Sequence, residues 1–255
     1  SIQNNCTQSP PQELVDQLVN LYNQGKIEHV IIQAEFLIAE YPDAYIVWNI
    51  LGASKAKINK LDEAIYAYKK ATLLKSDYAE AYNNMGIALR NQGNLKKAKE
   101  AYQKALTLNP YDVQTHNNLG NVFQDQGKLD EAIDIYKKSL SLDPKNADSL
   151  NNMGVSLKKQ GKLDEALLAF KKSISLKPND VSFLNNLGNV FQDQGKLDEA
   201  IDVYKKSISL KPDYANAFNN LGAALQITGK LDEAETSFRK AIVLKPDYAE
   251  AHKNL

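Results

Sequence analysis

Twelve asparagines stand in two columns. Asn49, Asn83, Asn117, Asn151, Asn185 and Asn219 recur every 34 residues, and so do Asn84, Asn118, Asn152, Asn186, Asn220 and Asn254. A side-chain amide carries both a donor and an acceptor, so a column of amides at a fixed spacing can pair with the backbone of an extended peptide whatever its side chains. Asparagine costs roughly 0.6 kcal/mol against alanine in a helix, so about twelve of them cost on the order of 7 kcal/mol, and something must offset that. Peptide binding is one offset and bracing between neighbouring repeats is another; descent from one ancestral repeat would explain the columns with no offset at all.

Other residues with chemical potential do not assemble. His116 and His252 fall where Trp48, Tyr82 and Phe218 recur, which makes them helix-packing residues and not ligands or bases. Met85 and Met153 occupy a leucine position and read as core filler. The recurring Asp-Glu of Leu-Asp-Glu-Ala opens a helix, where acidic side chains favour the dipole. No nucleophile with a base, metal-ligand cluster or phosphate loop is found, so no catalytic residue, metal or cofactor is expected. The single cysteine, Cys6, supports neither a disulfide framework nor a thiolate cluster. Asn5-Cys6-Thr7 fits a glycosylation sequon, relevant only to a eukaryotic secreted chain.

Charge narrows the partners. Lys plus Arg and Asp plus Glu both total 31, which leaves no net field to attract nucleic acid or an anionic membrane. With no export signal or membrane-length apolar run, a cytoplasmic setting is expected.

The elements that must position the asparagines follow from punctuation. Counting 34-residue units from Pro11, all twelve glycines fall at two positions. Gly52, Gly86, Gly120, Gly154, Gly188 and Gly222 take position 8, and Gly25, Gly93, Gly127, Gly161, Gly195 and Gly229 take position 15. Position 15 ends one helix, where positive φ suits glycine, and Asn59 replaces it in the second unit. Position 8 lies mid-helix, so close approach of a second helix is expected there. Proline at position 32 stops the second helix, and in Asp77-Tyr78-Ala79-Glu80 and Asp247-Tyr248-Ala249-Glu250 an Asp cap with Glu three residues on is expected to open the next. Positions 4, 7, 8 and 11 form the inner stripe of the first helix, with 20, 24 and 27 facing them from the second. The spacing predicts stacked helix–turn–helix units, all-α, with a 34-residue period.

Asn83-Asn84-Met85-Gly86, Gly195-Lys196-Leu197-Asp198-Glu199-Ala200, Tyr204 and Pro212 match the tetratricopeptide pattern. The chain resembles that superfamily from residue 11 to 255, and its asparagine-rich first helices look most like the repeat region of O-linked N-acetylglucosamine transferases. The resemblance implies an all-α fold, a right-handed α-solenoid (superhelix) of stacked antiparallel helix pairs with a 34-residue period, with a concave face lined by first helices and, at the asparagines, a peptide-holding ladder. The expected organisation is a tail at 1–10, a divergent repeat at 11–44, repeats at 45–78, 79–112, 113–146, 147–180, 181–214 and 215–248, and the opening of another at 249–255.

Positions 2, 6, 9 and 13 point away from the inner stripe at about 100° per residue, with 5 and 12 on the flank. Asn84, Asn118, Asn152, Asn186 and Asn220, with Asn121, Asn189, Gln124 and Gln192, are the candidate peptide-binding residues; position 5 is assigned a structural role. Residues 117–142 and 185–210 differ only at Ile135/Val203 and Leu140/Ile208, so near-identical surfaces recur two repeats apart. Scattered Arg90, Lys158 and Lys159 do not make a carboxylate clamp. The expected function is a protein-interaction scaffold binding extended polypeptide in a neutral, asparagine-lined groove, as the recognition arm of a larger protein whose catalytic domain would follow residue 255. The alternative is self-assembly through terminal repeats or the tail, giving a homo-oligomer.

Overall fold

The computed structural model describes residues 9–255; Cys6 and the Asn5-Cys6-Thr7 sequon lie outside the described residues, as does most of the expected tail. Among the described residues there are fifteen α-helices and no strand. The first helices of successive pairs are α1 (Gln12–Asn23), α3 (Tyr45–Lys57), α5 (Ala79–Asn91), α7 (Val113–Asp125), α9 (Ala147–Lys159), α11 (Val181–Asp193) and α13 (Ala215–Ile227). The second helices of the repeats are α2 (Ile27–Glu40), α4 (Leu61–Leu74), α6 (Leu95–Leu108), α8 (Leu129–Leu142), α10 (Leu163–Leu176), α12 (Leu197–Leu210) and α14 (Leu231–Leu244), and the short α15 (Ala249–Asn254) follows. The chain forms two compact units, residues 1–126 and 127–255: in the first, α1–α6 pack in successive pairs with α7 against α6, and in the second, α9–α14 pack in successive pairs with α8 against α9. No helix is long and apolar enough to cross a membrane among the described residues.

Each turn within a pair passes through the left-handed region, at Gly93 with φ +83° and at Asn59 with φ +61°, where asparagine is the least strained substitute for glycine. Position 8 is held by steric fit. A Cβ added to Gly86 would lie 2.6 Å from the ring of Tyr102, and one added to Gly222 would lie 2.6 Å from Phe238. The aromatic at position 24 thus sits directly on the backbone of its partner helix. Tyr102, Phe170, Tyr204 and Phe238 are all fully buried there.

Two expectations change. Burial extends to positions 3 and 10, through Val47, Ala81 and Ala217 and through Ala88, Val122 and Val190. Helices α3, α5, α11 and α13 each pack against the second helix before them as well as the one after, so α3 lies between α2 and α4, and one apolar stripe does not suffice. The caps also differ. The N-caps of α5 and α15 are Tyr78 and Tyr248, neither with a side-chain cap bond, so Asp77 and Asp247 stand one residue too early. Side-chain capping occurs where the polar residue occupies the cap itself: Asp112 accepts from Gln114 N, Asn146 from Ser149 N, and Asp180 from Ser182 N and Phe183 N.

In the divergent first repeat, Leu18, Val30, Ala34 and Leu37 fill the space that Gly, Ala and an aromatic fill elsewhere. The irregular Lys55 is buried between Glu35 (2.9 Å) and Glu63 (2.7 Å). Burial works against its charge, but its hydrogen bonds to Glu63 and Glu35 prevail and hold its pKa above the usual lysine value.

Candidate functional site

The asparagine columns meet one another. In the 1–126 unit, Asn84 Nδ2 donates to Asn49 Oδ1 (3.3 Å) and Asn118 Nδ2 to Asn83 Oδ1 (3.0 Å). In the 127–255 unit, Asn186 Nδ2 donates to Asn151 Oδ1 (3.0 Å), Asn220 Nδ2 to Asn185 Oδ1 (3.0 Å) and Asn254 Nδ2 to Asn219 Oδ1 (3.3 Å). Every one of these bonds links position 6 of one repeat to position 5 of the repeat before it. The position-5 amides are nearly all buried, whereas Asn84, Asn118, Asn152, Asn186 and Asn220 are half-exposed. A shared hydrogen bond fixes which end of each amide faces out: with Nδ2 turned toward the preceding repeat, the carbonyl Oδ1 is left for the surface. Some of these oxygens also have neighbours, since Asn118 Oδ1 accepts from Gln114 Nε2 (3.1 Å) and Asn152 Oδ1 from Asn151 Nδ2 (3.4 Å).

Asn189 and Gln192 are oriented the opposite way. Tyr204, whose ring closes the helix pair, directs its hydroxyl to Asn189 Oδ1 (2.7 Å) and Gln192 Oε1 (3.2 Å). Burial pushes the Tyr204 phenol well above its ordinary range, so the proton stays on and the hydroxyl remains a donor. Asn220 Nδ2 also donates to Asn189 Oδ1 (3.0 Å). The amide nitrogens of Asn189 and Gln192 are therefore the ends turned away from Tyr204. Asn121 and Gln124, their counterparts on α7, are half-buried and engaged in interactions of their own.

These residues line two different surfaces. In the 127–255 unit, Asn189, Gln192, Asn216 and Asn220 line a polar cavity of about 410 Å³, with Lys158 and Asp193 paired at 2.9 Å on its edge. In the 1–126 unit, the corresponding face is a cavity of about 540 Å³ lined by Val19, Tyr22, Ile50, Ala53 and Ile87, with Asn49 and Asn84 the amides in it. The signal for this apolar face lies at position 9, where Val19, Ala53 and Ile87 stand in the places of Asn121 and Asn189; the duplicated polar repeats mask it in the sequence.

Charge on both faces is cancelled locally. Arg90 pairs with Asp125 at 2.6 Å and Lys158 with Asp193, each joining position 12 to position 13 of the next repeat. Lys57 lies over the Tyr22 ring at 4.7 Å in the same register. Arg90 and Lys158, two of the three scattered cations that could have served a carboxylate clamp, are thus committed to carboxylates of the next repeat. Tyr78 donates to Glu80 and accepts from Asn49, and burial, then the Glu80 charge, pushes its phenol up to about 12. His116 is buried with Nδ1 on the Asp112 carbonyl (3.0 Å), and His252 Nε2 meets the Pro246 carbonyl (2.8 Å), as Trp48 Nε1 meets that of Pro42 (2.9 Å). Both histidines tie a first helix to the turn before it.

A ladder of paired helices with glycine–aromatic contacts and inter-repeat amide bonds defines a helical-repeat scaffold. Models of the tetratricopeptide repeat match residues 77–145, 111–179 and 215–248 and, with a further TPR repeat model at 52–93 and 188–226, leave little of the chain beyond residue 52 unmatched. The chain belongs to the tetratricopeptide repeat family. It is 46% identical over 52 residues to the peroxisomal targeting signal receptor of Candida albicans, a match to 20% of this chain and 9% of that protein. The chain thus spans about a tenth of the length of the curated relatives it matches. Among solved structures it resembles the APC/C hetero-tetramer Cut9-Hcn1, with a TM-score of 0.79 at 20% identity over 93% of this chain and 47% of that one, a likeness of fold. It also resembles YrrB, described as a TPR protein with an unusual peptide-binding site, with a TM-score of 0.56 at 27% identity over 75% of this chain and all of that one. The fold class is thus an α-solenoid, and the class of function is a protein-interaction scaffold.

Proposed function

We propose that the first-helix face of this scaffold binds extended polypeptide through its main chain, without catalysis of its own, as the recognition arm of a larger protein. The observation that carries this is the fixed orientation of the face amides. Position-6 asparagines turned by their inter-repeat bonds offer acceptors to peptide N–H groups, and Asn189 and Gln192, turned by Tyr204, offer donors to peptide carbonyls. Preorganised amides lose little entropy on binding. The likeness to transferase repeat regions rests on the same columns, and the peptide-binding site of the similar YrrB protein supports a peptide ligand here. The apolar face of the 1–126 unit accommodates the large side chains of such a segment.

The test starts from peptides captured from a random-sequence display library of unstructured segments. For each captured peptide, Asn189→Ala and Gln192→Ala should each weaken binding by about fivefold to tenfold, the equivalent of one net hydrogen bond. Single N-methylation along the peptide backbone should weaken it with an alternating pattern. Peptides that tolerate N-methylation throughout would show that side chains alone are read, and the proposal would fall.

A further inference from the structure

The opposite side of the helix stacks carries a second set of grooves. Between one repeat and the next, positions 25 and 28 of a second helix, 4, 7 and 11 of the following first helix and 22 and 23 of its partner enclose a cavity at the same place in both units. In the 1–126 unit it measures about 480 Å³ and lies under Trp48 and Tyr66, with the carboxylates Glu35, Asp62 and Glu63 against the single cation Lys55. In the 127–255 unit it measures about 410 Å³, and Met153, Leu157 and Leu168 floor it while Lys137, Lys162 and Lys172 rim it. Glu165 is the one carboxylate of that second groove. The two sites are equivalent in position and opposite in charge.

Beside the acidic groove, helix α2 departs from every other second helix. Positions 18, 22, 26 and 30 form one i, i+4 ridge, which reads Asp164-Leu168-Lys172-Leu176 in α10 and Asp198-Asp202-Lys206-Leu210 in α12. All six later helices carry lysine at position 26: Lys70, Lys104, Lys138, Lys172, Lys206 and Lys240. In α2 the ridge is Glu28-Ile32-Phe36-Glu40. Ile32 and Phe36 are 66% and 72% exposed, side by side, with a carboxylate one turn beyond each. Two adjacent exposed apolar side chains framed by acids have no counterpart on the other ridges. Leu168, 69% exposed in the lysine-rimmed groove, offers an apolar surface to match Ile32 and Phe36, and Lys137, Lys162 and Lys172 around it are opposite in charge to Glu28 and Glu40.

We infer that the α2 ridge of one chain seats in the lysine-rimmed α8–α10 groove of a second copy of the same chain, with Phe36 against Leu168 and Glu28 and Glu40 among the lysines. The contact joins two different patches of the molecule, so the copy that gives its ridge keeps a free groove and the copy that gives its groove keeps a free ridge, and association runs head to tail. It leaves the first-helix face uncovered and does not depend on peptide binding there. Steering by opposite charges makes the contact sensitive to salt.

Sedimentation equilibrium of the full chain over tens to hundreds of micromolar is the test. Molar mass should rise with concentration and fall back on addition of salt. Phe36→Lys installs the residue the other six helices carry, and Leu168→Asp installs the one found at Asp134 and Asp202, so both variants retain the fold. Each should weaken self-association about tenfold or more, as loss of a central anchor does. An equimolar mixture of the two retains one intact ridge and one intact groove and should form a dimer that grows no further. A wild-type chain that stays monomeric, association that survives in either variant, or a mixture that fails to dimerise would each overturn the inference.

Discussion

Replacing Gly86 with alanine sets two effects against each other. Helix propensity favours alanine by about 1 kcal/mol. The new methyl, however, would sit 2.6 Å from the Tyr102 ring, which is fully buried and has nowhere to retreat, and overpacking of that kind costs about 1–3 kcal/mol. Steric conflict should win, so Gly86→Ala lowers stability by about 1–2 kcal/mol in urea unfolding, and combining it with Tyr102→Leu should be clearly less than additive. The same method resolves the amide ladder. Asn83→Ala and Asn118→Ala remove the two ends of one inter-repeat bond, and their double-mutant cycle should give a coupling of about 0.5–1.5 kcal/mol. Asn118→Ala and Asn186→Ala share no bond and should simply add. If the first pair also adds, the ladder contributes nothing between repeats.

Helices α2 to α4 show how a departure from the repeat is accommodated. Position 11 is leucine or phenylalanine in every other complete repeat, yet Lys55 is buried there and held by Glu35 and Glu63 from the helices on either side. The hydrogen bond from Lys55 is the main reason the Glu63 carboxyl sits below its ordinary value of 4.5. A depressed folded-state pKa means the contribution is complete above 4.5 and is lost as pH falls through the lower folded value. The raised Lys55 value works at the other end, its contribution complete below 10.5 and lost as pH rises beyond it. Lys55→Leu restores the common residue, removes the lysine dependence and weakens that of Glu63, which keeps Lys60 at 3.4 Å. Between pH 7 and pH 3 the melting temperature of the variant should therefore fall less than that of the wild type, followed by circular dichroism at 222 nm; parallel falls would mean the pair carries no linkage. The pairing itself was not legible in the sequence, although the helices were. Glycine and proline phases state where chains turn, and aromatic and small residues at fixed positions state which faces meet. Neither states that Tyr78 and not Asp77 occupies the cap, that positions 3 and 10 are enclosed by the preceding pair, or which end of an asparagine amide donates. Those depend on orientation across neighbouring helices, to which a 34-residue period is blind. The asparagine columns could be read as a face, but their mutual bonding could not be distinguished from ligand binding until the atoms were placed.

At the scale of the molecule, stability in a stacked-repeat protein is a sum of local terms and nearest-neighbour interfaces, because each repeat touches only those beside it. The helices here obey that rule: within each unit, contacts run from each pair to the adjacent pair and no further. The two compact units differ in what their first-helix faces offer, Val19, Ile50 and Ile87 in one and Asn189, Gln192 and Asn220 in the other. Damage should then stay near where it is done. Gly188→Ala drives a methyl into the Tyr204 ring, the side chain that also orients Asn189 and Gln192. Native-state hydrogen exchange should show faster opening of α11 and α12 and their neighbours, with amides of α3 and α4 protected as in the wild type. Because the ring must move to admit the methyl, the amide nitrogens at 189 and 192 lose their fixed direction along with the local stability. Peptide capture by the 127–255 face should weaken in the same variant. Equal acceleration of exchange in both units would instead mean that the whole chain opens as one cooperative body, and the nearest-neighbour description would have to be abandoned for this protein.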